Sequence, residues 1–162
     1  MKEIMTPRIA RTQLATYTYF HVCAKGNNNQ NIFRDGCDRI RYLSVVEKYR
    51  TFFKLHCFSY CLMANHIHFL FLSPSVYVLS KAMHSIQLAY VIYFNRRYKQ
   101  TGHLFQSRFT SWVITGEGHL LSTKDYIEAN PVKANIVETK EAYFWSSASK
   151  NGSYVTIEQI TA

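Results

Sequence analysis

The amino-acid sequence predicts an α+β fold: one antiparallel sheet with two helices on one face, and a further helix toward the C-terminal end. Three observations carry that expectation. Residues 66–72, His66-Ile67-His68-Phe69-Leu70-Phe71-Leu72, form a short apolar run stopped by Ser73-Pro74, the pattern of a buried strand. Two longer stretches, residues 40–53 and 79–94, instead repeat their apolar residues at steps of three and four, the period of a helix with one buried face. Strand-like and helix-like stretches alternate as β-α-β-β-α-β, an order that suits an antiparallel sheet with both helices on one side.

Taken in order, residues 1–13 carry Lys2, Arg8 and Arg11 without periodicity and read as a basic arm. Leu14 to Ala24 is rich in Thr, Tyr and Val, hence a strand. Gly26-Asn27-Asn28-Asn29-Gln30 has turn chemistry. Asp38 is expected to cap a helix running to Phe53, whose buried face is Ile40, Leu43, Val46, Tyr49 and Phe53. Leu55 to Met63 is a second strand, and Ala64-Asn65 a tight turn in which Asn tolerates positive φ. The His66 strand follows. The second helix buries Leu79, Met83, Ile86, Tyr90 and Tyr93 or Phe94, and should end near Thr101-Gly102. After the loop TGHLFQSRF (101–109), Ser111 to Thr115 is the last strand, closed by Gly116-Glu117-Gly118. Leu120 to Ala129 is the extra helix. The chain then loses pattern beyond a packing cluster, Tyr143-Phe144-Trp145, and residues 148–162 form a tail. The whole reads as one ferredoxin-like sandwich, a single domain over 1–162 without repeats or linkers.

The chain has 162 residues, 48% of them hydrophobic, and a formal net charge of +9 from 19 Lys+Arg against 10 Asp+Glu. Such a balance favours a polyanionic partner, nucleic acid or an acidic membrane surface. No apolar run approaches the roughly 18 residues of a membrane span, so no membrane partner is expected. No basic-then-apolar leader is seen, so a cytosolic location is expected. Cys23, Cys37, Cys57 and Cys61 include no CxxC pair; Cys57 and Cys61 with His66 and His68 admit a zinc reading, and ordinary buried thiols are the alternative.

On a strand, residues i and i+2 share a face about 6.6 Å apart. His66 and His68 can therefore offer two imidazoles to one ion while Ile67 faces away; two rim histidines of a core would look the same in sequence. Tyr126 and Asn130 lie four apart in the last helical segment and share a face on a continuous helix. If that helix crosses the sheet, Tyr126 approaches the ion and Asn130 can add an oxygen ligand. Two imidazoles, an amide oxygen and water suit Mg²⁺ or Mn²⁺ in an open site. A free phenol is a poor nucleophile at neutral pH, and a neighbouring cation both activates it and polarises a phosphate. Asn130-Pro131 also has a structural reading, an Asn cap with Pro in the first turn, and Pro131 itself disfavours helical geometry at Asn130. Arg96, Arg97 and Lys99 suit either a helix C-terminus or phosphate contacts.

The motifs HVCAKGNNNQNIF (21–33), YCLMANHIHFLF, YFNRRYKQTGHLFQSRF and DYIEANPVKANIV, closed by Tyr143-Phe144-Trp145-Ser146-Ser147, resemble the single-tyrosine HUH transposases, in particular the REP-associated tyrosine transposase-like branch, from about Arg8 to Ser147. The resemblance implies that His66 and His68 bind the metal, that Tyr126 of the YIxxNPV motif is the nucleophile, and that Asn130 stands at the third ligand. It implies cleavage of hairpin-bearing single-stranded DNA through a 5′-phosphotyrosine with release of a 3′-OH, by a monomer or a homodimer, in a bacterial-type cytoplasm at the nucleoid. Arg96, Arg97, Lys99, Arg108, Lys124 and Lys133 are then the candidate DNA-binding cations. Three positions depart from the family pattern: Ala64 replaces a common Pro, Ser107 a usual Gly, and Glu128 a common His. Glu128 would set an acid near the nucleophile and weaken it. The rival readings are a domesticated protein that binds DNA or RNA hairpins without cutting, and a replication initiator or relaxase, which would need a longer chain.

Overall fold

In the computed structural model, which describes residues 17–149, side-chain alternation along β1 (Thr18–Lys25) sets up two different faces of the sheet. Phe20, Val22 and Ala24 are buried on one side, and Tyr19, His21 and Cys23 point to the other. The expected basic arm, the start of the first predicted strand and residues 150–162 of the tail lie outside the described residues.

The first helix, α1 (Gly36–Phe52), is capped by Asp35, which accepts the backbone N–H of Asp38 at 3.0 Å. The expected cap, Asp38, is instead fully buried. Its carboxylate accepts from Arg34 N (2.8 Å), Arg97 Nη1 (2.6 Å), Tyr93 Oη (3.1 Å) and Tyr98 Oη (2.8 Å), which ties α1 to the second helix. The buried face of α1 runs through Tyr42, Leu43, Val45 and Val46, and Ile40, expected inside, is 47% exposed.

Strands β2 (His56–Leu62) and β3 (His66–Ser73) follow, as expected to within a residue at most ends. Helix α2 (Val76–Tyr98) starts where Ser75 Oγ accepts from Val78 N at 3.1 Å. It buries Leu79, Met83, Ile86, Tyr90 and, of the two expected alternatives, Phe94. It stops at Lys99, whose φ of 51° makes the left-handed cap, short of the expected Thr101-Gly102. Strand β4 (Thr110–Ile114) leads into Gly116, where φ is 80°. Helix α3 (Glu117–Glu128) therefore begins immediately, and Glu117-Gly118, expected to be part of a turn, form its first turn.

The strands are ordered β2-β3-β1-β4, all neighbours antiparallel, which is the ferredoxin-like arrangement. Helices α1 and α2 cover the face of Phe20, Val22, Tyr60, Ile67, Phe69 and Phe71. On the opposite face Cys61, Met63, Leu70 and Ile114 pack with Ile127 of α3 and with Tyr143. After α3, Tyr143 donates its hydroxyl to Leu62 O at 2.8 Å, Trp145 O accepts from Leu62 N, and Ser147 N donates to Tyr60 O, so this segment closes the open edge of β2. Phe144 of the expected cluster is exposed.

The zinc reading fails on this frame. Cys57 and Cys61 belong to cores on opposite faces of the sheet, and all four thiols are free. Burial pushes Cys23 up to about 11 and Cys57 and Cys61 up to about 12, so they stay protonated.

Candidate active site

The face that α3 crosses is where the sequence-predicted residues meet. Ile67 enters the core under α1 and α2, which leaves His66 and His68 on the α3 side, their ring centroids 5.1 Å apart and nearly perpendicular. His68 is buried and His66 half-buried. Ile127 is the anchor of α3, fully buried against the sheet. Tyr126, one residue earlier, therefore emerges beside the histidines, 42% exposed, its ring 6.0 Å from His68 in an edge-to-face arrangement.

A third imidazole, present in the first sequence motif but given no role by its pattern, completes the group. His21 of β1 lies between Trp112 (5.0 Å) and His68 (5.1 Å), meets Tyr126 at 5.8 Å, and brings Nε2 to 3.0 Å from His68 Nδ1. Its one signal in sequence is a polar ring on the same alternation as Tyr19 and Cys23. Its partner depends on the pairing of β1 with β3, which sequence does not display.

All three rings are held neutral. Burial lowers His21 to about 4, with His119 adding to the effect, and lowers His68 to about 3, with His21 and His66 adding. His66 is lowered by burial and by Lys25. Neutral imidazoles have a lone pair to give. Asn65 does not take the expected positive φ; instead its Oδ1 lies 2.7 Å from His66 Nδ1, and a carboxamide oxygen can only accept, so His66 Nδ1 carries the hydrogen and Nε2 is bare.

Asn130 has a local duty different from the cap its sequence context suggests. Pro131 has no N–H, so the Ile127 carbonyl loses its ordinary donor four residues on. Asn130 Nδ2 donates to Ile127 O (3.2 Å) and to Tyr126 O (2.9 Å), sealing the end of α3 rather than capping the next turn. The chain continues helically as α4 (Asn130–Lys133), so Tyr126, Asn130 and Lys133 share one face. Lys133 Nζ sits 4.1 Å from the centre of the Tyr126 ring.

Glu128 does not approach Tyr126. It is buried on the far side of α3, where it accepts from Ser147 Oγ at 2.9 Å and pairs with Lys140 (3.4 Å) and Lys124 (3.7 Å). Lys124 is thus engaged within the protein, as is Arg97 with Asp35 and Asp38 at 2.6 Å each. Arg96, Lys99 and Arg108 are exposed, the first two at the end of α2 and the third in the loop after it. That loop is stitched to the one after β1: Asn27 N and Gln30 Nε2 donate to Leu104 O, and Gln106 N to Lys25 O.

A divalent cation at this site would have His66 and His68 as nitrogen donors. Among the described residues no three His, Cys, Asp or Glu side chains converge as a closed cage. Two neutral imidazoles beside an exposed phenol fit an open site, in which water and substrate oxygens fill the remaining positions.

The family model for "Transposase IS200 like" matches residues 15–130, which spans β1 through Asn130. Among solved structures, a REP-associated tyrosine transposase bound to a REP hairpin is similar, with a TM-score of 0.67 and 17% identity, over 88% of this chain and 82% of that one. No curated protein matches.

Proposed function

Because this chain belongs to the IS200-like transposase family, we propose that it is a divalent-metal-dependent transposase that cuts and rejoins hairpin-bearing single-stranded DNA through a tyrosine. The observation that carries the reading is the convergence of neutral His66 and His68 with the exposed phenol of Tyr126, from strand and helix, on one face of the sheet. Mg²⁺ or Mn²⁺, when bound, would polarise the scissile phosphate. His66 and His68 would hold it through nitrogen lone pairs, and Asn130 Oδ1 is the remaining atom of the sealing amide that would be free to join them. Tyr126 Oη attacks phosphorus in line: the Tyr–O–P bond forms, the P–O3′ bond breaks, the phenolic proton passes to solvent, and the 3′ oxygen leaves as a hydroxyl. A second 3′-OH reverses the exchange, forming P–O3′ and releasing Tyr126. One ester replaces another at each step, so no nucleotide cofactor is needed. Lys133, whose ammonium lies over the Tyr126 ring, would meet a phosphate of the bound strand. The relevant hairpin would be of the REP type, with action at the nucleoid in a bacterial-type cytoplasm, by a monomer or a homodimer. No helix among the described residues is long and apolar enough to cross a membrane.

The net charge of +9 suits equally the alternative of a hairpin-binding protein without cleavage, since it bears on binding alone. One experiment separates the two. Incubated with its own flanking hairpin DNA and Mn²⁺, the wild type should give a protease-sensitive covalent complex on a denaturing gel. Binding without any such complex would leave the binding module as the better account.

Exposed and engaged cations should differ in what they do. Arg96→Ala should flatten the log–log dependence of hairpin affinity on salt by about 0.7, the value for one single-strand phosphate contact. Arg97→Ala should instead lower the melting temperature, because it strips buried Asp38 of its guanidinium. Equal effects of the two variants on both measurements would remove the distinction.

A further inference from the structure

Of the three imidazoles on the α3 face, His21 has no part in the proposed reaction. Its polar contact is Nε2 to His68 Nδ1 at 3.0 Å. At that distance one hydrogen lies between the two nitrogens, and its position decides what His68 shows on its far side. If His68 Nδ1 carries it, His68 Nε2 has a lone pair. If His21 Nε2 carries it, His68 Nε2 bears a hydrogen and cannot ligate. His66, the neighbouring ligand, shows the arrangement the site uses: its Nδ1–H is given to Asn65 Oδ1 and its Nε2 is bare.

We infer that His21 is a positioning residue: it accepts the Nδ1–H of His68 and fixes the tautomer and ring orientation in which His68 presents Nε2 to a divalent cation. The inference rests on the metal reading under Proposed function. A further observation supports it. His21 is itself closely packed, 1% exposed, opposite Leu70 and Trp112 in the sheet, with its ring 5.0 Å from that of Trp112. Its own Nδ1 is buried with no hydrogen-bond partner among the described residues. Accepting at Nε2 puts the hydrogen of His21 on that Nδ1, an unpaired buried donor whose cost a phenyl ring in the same space would not carry. A metal-ligating histidine ordinarily donates its other ring N–H to an outer acceptor, and His21 Nε2 is the acceptor within reach of His68 Nδ1.

The test uses the full chain without DNA. Mn²⁺ affinity is measured by calorimetric titration for the wild type, His21→Phe and His21→Gln, and the tautomer of His68 is read by nitrogen-15 NMR in the metal-free wild type. His21→Phe should weaken Mn²⁺ binding about 10- to 100-fold. His21→Gln, whose carboxamide oxygen can accept the same hydrogen, should recover most of it. His68 should be protonated on Nδ1, a readout that needs no variant to fold. A His68 protonated on Nε2, or a folded His21→Phe within twofold of wild type, overturns the inference while leaving the metal site standing. A wild type that binds no Mn²⁺ overturns the metal reading and this inference with it.

Discussion

Tyr126→Phe should form no covalent complex with hairpin DNA, while folding and binding remain near wild type. The phenyl ring retains the edge contacts with His21 and His68 and the Lys133 ammonium over its face, so the site keeps its shape. The position is 42% exposed, and stability should change by no more than about 0.5 kcal/mol. The substitution removes the oxygen proposed to attack phosphorus, and a phenyl ring offers no partial nucleophile in its place. Three tyrosines of α2 are placed so that they cannot stand in. Tyr90 is buried and donates to Ile32 O, and Tyr93 and Tyr98 donate to Asp38, all beneath the opposite face of the sheet. Denaturing gels with end-labelled DNA measure the adduct, and gel shifts measure the binding. An adduct that persists in Tyr126→Phe and disappears in Tyr98→Phe would mean that the wrong tyrosine has been assigned.

The parts of this molecule legible in its sequence are those fixed by short-range pattern. The β3 run, the Leu79-to-Phe94 face and the element order come from periodicity, and the antiparallel sheet comes from that order. Local chemistry with two nearby candidates is less secure. Asp35 and Asp38 are three residues apart and both meet Arg97 of α2, but Asp38 is fully buried with Tyr93 and Tyr98 also on its carboxylate, and only Asp35 accepts the backbone N–H at the helix start. Ile40 lies at the right step for the buried face of α1, yet that face is rotated toward Tyr42 and Val45. The three residues whose roles differ most between sequence and structure all depend on partners far away in the chain. Glu128 looks like a neighbour of the nucleophile because it is two residues away, but two residues on a helix turn a side chain about 200°. It meets Ser147 and Lys140 instead. Arg97 looks like a phosphate ligand because it stands in a cationic run, but Asp35 and Asp38 come to it from the start of α1. His21 needs the register of β1 on β3 to become visible at all. Pairwise chemistry across a sheet is set by tertiary register, and a single sequence carries that only indirectly.

His66→Ala and His68→Ala should each reduce cleavage by about 10³-fold or more, the scale of losing Lewis-acid stabilisation worth several kcal/mol. Chelation of the wild type by EDTA should do the same, and added Mn²⁺ should restore the wild type but neither variant. The two substitutions should differ in stability, which separates loss of the ligand from loss of the fold. His66 is half-buried, and its bond to Asn65 is to a side chain at the turn, so its removal should cost under about 1 kcal/mol. His68 is 5% exposed and its removal leaves His21 Nε2 without its partner in the sheet, which should cost about 1–3 kcal/mol in urea unfolding. His66→Ala is therefore the cleaner variant: inactive, folded, and binding hairpin DNA at wild-type affinity, since the exposed cations at the end of α2 are untouched. Cleavage that proceeds at full rate in EDTA would sink the mechanism. If His66→Ala cut normally while His68→Ala did not, the two histidines would not act as a pair, and the loss in His68→Ala would be traced to packing beneath Tyr126.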